Sequence, residues 1–189
     1  MTLKKKILVR LIFVSITALF VACNSAADKN AEKGSAEEID FSLVPSMEVD
    51  SVYTLYSDSG RLTSRLQAPK LAIFDKVDEP YWDFPEGIHM TTYNKQGDVD
   101  GDISSKVAVF DVKKELWTLS VDVKAINPDG SMLETELLYW DRNKELIYSD
   151  KLVKITEDGM ITLGSGFESD QRFEDWHMDN FSTEFIMED

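Results

Sequence analysis

The chain reads as an all-β, mainly antiparallel domain, and three features of the sequence carry that expectation. From Val49 onward apolar residues recur with a period of two rather than 3.6. Short runs rich in Val, Ile, Leu, Thr and aromatics alternate with polar turns, and no sustained helical stripe interrupts them. The third feature is a turn pattern, Asp followed four residues later by Glu, that returns along the chain.

The strand candidates follow in order: VYTLYS at 52–57, KVAVFDV at 106–112, LWTLSVDVKAI at 116–126, LLYW at 137–140, LVKIT at 152–156 and MITLGS at 160–165. NKQGD at 94–98, NPDG at 127–130 and EDG at 157–159 carry the Asn, Asp, Pro and Gly that set reverse turns. The turn pattern places Asp75, Glu79 and Tyr81 in a loose first copy. Asp111, Glu115 and Trp117 form the second, Asp141, Glu145 and Ile147 the third, and Asp170, Glu174 and Trp176 the fourth. The steps between the aspartates are 36, 30 and 29 residues, an internal repeat of strand, turn and strand. In each copy an Asp carboxylate can accept hydrogen bonds from backbone N–H groups two or three residues on, and the Glu is expected to begin the return strand. Four structural turns explain these acids better than four acid–base sites.

Such units stack into a β-sandwich or a V-shaped jelly roll. Glu168 is costly on an inner face and Phe167 is not. With the repeats aligned on their aspartates, Ala72, Phe74, Ala108, Phe110, Leu138, Trp140 and Phe167 are then expected to share one apolar trough.

The 189 residues suit one domain with a real core. A surplus of 35 acidic over 20 basic residues, net charge −15, argues against nucleic acid, whose phosphates need basic partners. Lys4, Lys5, Lys6 and Arg10 precede the apolar segment Leu11 to Val21 and the small Ala22, which reads as an export signal over residues 1–22. The segment is too short to span a bilayer comfortably. FVAC at 20–23 resembles the bacterial lipobox, with Phe20 where Leu is usual. That likeness implies a diacylglycerol on Cys23, the only cysteine; the bland alternative is an unmodified thiol. Cleavage before Cys23 removes four basic groups and leaves a formal charge of about −19. Residues 23–45 contain few large apolar side chains and are expected to form a lipid-anchored flexible tether ahead of a domain over 46–189.

SSKVAVFDVKKELWTL, LETELLYWDRNKELIYSDKLVKI and ITLGSGFESDQRFEDWHM follow one another in order, and through them the tract from Val49 to Met178 resembles the LptC family of lipopolysaccharide export. The resemblance implies an open β-jelly roll whose interior carries the acyl chains of lipopolysaccharide. It implies receipt of lipid from an LptB2FG-like inner-membrane ABC transporter and delivery to an LptA-like periplasmic protein through edge-strand pairing. Familiar LptC proteins carry an N-terminal transmembrane helix; here a lipid anchor at Cys23 stands in its place. The expected location is the periplasmic face of the inner membrane, with outer-membrane retention as the other outcome. Burial of acyl chains yields about 0.8 kcal/mol per CH2, so binding needs no cofactor and no catalytic group. The acidic surface repels lipid phosphates, leaving the headgroup in solvent or bridged by divalent cations.

Other function classes are less well served. An enzyme usually needs a nucleophile with its base, a metal with several ligands or converging carboxylates. The only histidines, His89 and His177, lie far apart in strand-like runs. Asp98, Asp100 and Asp102 in NKQGDVDGD look like part of a calcium loop but lack the bidentate Glu of an EF-hand, so no metal site is expected. A surface or periplasmic lipoprotein with a structural or carbohydrate-binding β-domain is the main alternative, with Tyr81, Trp82, Trp117, Trp140 and Trp176 as sugar platforms.

Overall fold

A computed structural model describes residues 40, 44–173 and 175–185. Twelve strands are formed: β1 (Met47–Asp58), β2 (Arg61–Phe74), β3 (Tyr81–Phe84), β4 (Ile88–Tyr93), β5 (Val99–Ser105), β6 (Val107–Asp111), β7 (Leu116–Ile126), β8 (Met132–Asp141), β9 (Leu146–Ser149), β10 (Val153–Glu157), β11 (Met160–Asp170) and β12 (Trp176–Phe185). All pairings are antiparallel, and no helix occurs among the described residues. The fold is an open antiparallel β-jelly roll. Cys23 and Glu174 lie outside the described residues.

Two routes lead across the sheet from β2 to β7. One passes through β4 and β5, the other through β3 and β6. From β8 to β11 the same division occurs, through β9 or through β10. Long strands therefore contribute one half to each of two layers and bend where the layers join. In β7 the bend is a bulge between Ser120 and Val123, with Val121 and Asp122 at φ 64° and 51°. An added residue in a ladder raises the local twist and turns the strand. The Lys106 N–H donates to the Val121 carbonyl at 3.0 Å, and Lys106 Nζ pairs with Asp122. Gly166 in β11, at φ 66°, marks the same joint; a Cβ there meets Asp179 Oδ2 at 2.7 Å. Strands β1 and β12 form the two edges, each paired on one side only among the described residues.

The core lies between the layers. Leu66, Ile88, Met90, Ile103, Val123, Ala125, Leu133, Val153 and Ile155 come from one layer; Leu71, Phe84, Ala108, Phe110, Trp117, Leu119, Leu138, Ile147 and Phe167 come from the other. Each fully buried Leu or Phe contributes roughly 1.5–3 kcal/mol by area burial.

The repeated aspartates sit at one end of the second layer. Asp111 Oδ1 accepts from the Lys114 N–H at 2.9 Å, and Asp141 Oδ1 accepts from the Lys144 N–H at 3.0 Å. Asp170 Oδ1 accepts from the Asp175 N–H at 3.5 Å. Neighbouring turns are joined in a ladder: Val112 N–H to Pro80 O and Arg142 N–H to Glu115 O, both 3.1 Å, and Asn143 Nδ2 to Lys114 O at 3.0 Å. The glutamates depart from the sequence expectation. Glu115 and Glu145 close their turns with φ 50° and 53°, one residue before the return strand begins. A four-residue connection needs a left-handed residue at that place to bring the strands back into register.

Candidate functional site

The register of the second layer decides which side chains face inward. Ile73, Trp82, Phe110, Trp117, Trp140, Ile147 and Ser169 are successive Cα partners across seven neighbouring strands and therefore share one face. Two residues along lies a parallel row through Phe84, Ala108, Leu119 and Leu138. Both rows belong to the core cluster or pack against it, apart from Ser169, which is buried and polar. Ring centroids stand 5.5 Å apart for Trp82 and Phe110 and 4.8 Å for Phe110 and Trp117, so the inner wall is a run of touching aromatics.

Ala108, Phe110, Leu138, Trp140 and Phe167 are brought together on this inner face, as the sequence suggests. Ala72 and Phe74 are not. Ala72 pairs with Asp83 and Phe74 with Tyr81, in rows that continue through Val109, Thr118 and Tyr139 and through Asp111, Leu116 and Asp141 on the opposite face. Leu71 and Ile73 take the inward places. The cause is the connection after β2, which spans residues 75–80, six residues where the next two turns use four. Phe74, and not Asp75, thereby comes level with Asp111, and a slip of one residue exchanges the faces. Phe74 instead stacks flat on Tyr81 outside, at 4.6 Å and 11°.

Where the layers part, Met90, Thr92, Asp100, Gly101, Asp102 and Ile103 of one layer face Trp140, Glu145 and Ile147 of the other across a cavity of about 360 Å³. Cavities of this size hold small ligands when apolar walls carry a few placed polar groups. Asp170 at the end of β11 and residues 171–173 in the connection to β12 complete the lining. Trp140 Nε1 donates to Gln171 Oε1 at 3.0 Å, and Arg172 Nη2 donates to Asp100 Oδ1 at 3.0 Å. A small gap lined by Ala125, Leu133, Ile155, Phe167, Phe173 and Trp176 continues beside it. Met90, Ile103, Phe173 and Arg172 were not legible as site residues, because they meet only at the cavity, where Arg172 reaches Asp100 across 72 residues of chain.

The acids of the turns are structural in their surroundings. The Lys144 side chain and backbone hold the Asp141 carboxyl below the usual carboxylate range. For Asp111, partial burial pushes upward, and hydrogen bonds from Lys114 outweigh it. His89 Nε2 lies 2.7 and 2.8 Å from the two Asp102 oxygens, and Thr91 Oγ1 donates to the same carboxylate at 3.0 Å. No group of three His, Cys, Asp or Glu side chains able to hold a metal ion occurs among the described residues. Of the aromatics that sugar binding would use, Trp117 is buried and Trp82, Trp140 and Trp176 pack against the core.

No curated protein matches the chain. The family model described as "Lipopolysaccharide-assembly, LptC-related" does match, over residues 8–177. That span takes in every strand up to the start of β12 and both walls of the trough, and the chain belongs to this LptC-related family of lipopolysaccharide transport.

Proposed function

We propose that the space between the layers receives acyl chains of lipopolysaccharide and that the domain works as a non-enzymatic carrier. The observation that carries this is the apolar inner row from Ile73 to Ile147, which runs into the cavity beside Trp140. A wall without catalytic groups binds chains by area burial, at roughly 0.8 kcal/mol per CH2, while sugars and phosphates stay outside the acidic rim.

In this scheme Cys23 carries the lipid anchor and the following residues tether the domain at the periplasmic face of the inner membrane. Lipid comes from an LptB2FG-like transporter and leaves to an LptA-like partner. The outer edges of β1 and β12, unpaired among the described residues, offer backbone groups for such strand addition. The test is to purify the full chain gently from its own membrane and identify bound lipid by mass spectrometry. Lipopolysaccharide is expected. Only unrelated lipid, or none, sinks the carrier scheme. Trp140→Glu, which puts a charge beside the cavity, should lower the bound lipid several-fold in a folded protein.

A further inference from the structure

The β11–β12 connection touches both lips of the mouth. Gln171 holds Trp140 on β8, Arg172 reaches Asp100 on β5, and Phe173 lines both the large cavity and the narrow gap beside it. The Phe173 ring lies 6.3 Å from that of Phe167, and its backbone stands at φ 56°, a left-handed conformation that a bulky L residue rarely adopts. Strain of this kind persists only where surroundings enforce it. Here the Phe173 N–H closes the turn on the Asp170 carbonyl at 3.3 Å, its ring packs against the core cluster, and two side-chain hydrogen bonds hold the residues before it.

We propose that residues 171–173 form a latch over the trough, with Phe173 occupying space that an acyl chain takes and the Arg172–Asp100 pair as its ionic catch. This rests on the carrier scheme above and names what regulates entry to the same site. An acyl chain entering beside Trp140 replaces the ring among the same apolar neighbours, so the ring loses its packing on the core and the turn is released outward. The catch suits a reversible device. Arg172 is 51 % exposed and Asp100 22 %, and a pair so placed is a weak tie that salt loosens further. Asp102, Glu145 and Asp170 line the same mouth as Asp100, so their charge draws the Arg172 guanidinium back and the catch recloses once cargo has left.

The test uses the full chain with a photoreactive phenylalanine analogue at Thr92, which lines the mouth, and measures the rate of crosslinking to purified lipopolysaccharide. Arg172→Asp sets two acids face to face and should raise the rate about two- to fivefold, the range an exposed ion pair delivers. The exchanged pair Asp100→Arg with Arg172→Asp should return it towards the native value. Raising salt should speed the native protein and slow Arg172→Asp, because it screens an attraction in the first and a repulsion in the second. If the native protein crosslinks and all three proteins do so at one rate, the latch is wrong and the carrier stands. If neither a probe at Thr92 nor one at Trp140 ever captures lipid, the carrier scheme fails and takes the latch with it.

Discussion

Trp117 and Trp140 are direct partners across β7 and β8 on the inner face, yet Trp117 is 4 % exposed while Trp140 stays half-buried and gives its indole N–H to Gln171. One tryptophan belongs to the packed floor of the trough and the other to its mouth. Trp117→Ala should therefore cost about 3–5 kcal/mol of stability, as large buried truncations do, and Trp140→Ala about half that or less. Denaturant unfolding of the two variants checks this; equal losses would contradict the division.

The face exchange in β2 gives a second test. Photoreactive side chains at Ile73 and Phe74 differ by one residue and point to opposite sides of the sheet. A probe at Ile73 should capture lipopolysaccharide several-fold better than one at Phe74. The reverse order would restore the inward placement of Ala72 and Phe74.

Glu115 is exposed and holds φ 50° with a full side chain. Left-handed backbone costs an L residue about 1–2 kcal/mol, and glycine returns roughly 0.4–1 kcal/mol of that through its freer unfolded chain. Glu115→Gly should stabilise the protein by about 0.5–1 kcal/mol, read as a higher thermal midpoint. A drop would mean that the Glu side chain supports the turn.

The depressed Asp141 carboxyl has a defined pH signature. Its folded pKa lies below the unfolded value, through Lys144 first of all. Its contribution to stability is therefore complete above the unfolded value, about 3.9, and is lost as pH falls through the folded one. Asp141→Asn should lower the thermal midpoint at pH 6, and the gap to the native protein should begin to narrow below about pH 4 and shrink with further acidification. A gap that does not shrink at all as pH falls below about 4 would show that the Asp acts by shape rather than charge.

Much of this was legible in the sequence because it is local. Strand alternation is set by each residue's neighbours, and an Asp that caps its own turn needs nothing beyond the next three residues; hence Asp111 and Asp141 read correctly, as did the shared face of Ala108, Phe110, Leu138, Trp140 and Phe167. The phase of β2 was not legible. Phe74–Asp75 and Phe110–Asp111 look alike, and only the pairing of Phe74 with Tyr81 across a six-residue connection turns Ala72 and Phe74 outward and Leu71 and Ile73 inward. LWTLSVDVKAI was readable as a strand, but not as one that bends at Val121 and Asp122 to serve two layers. The sequence by itself determined the strands and their turns, since backbone preference and side-chain period act over a few residues. Tertiary structure alone decided the mouth of the trough, because Arg172 meets Asp100, and Gln171 meets Trp140, only after the layers have folded over one another.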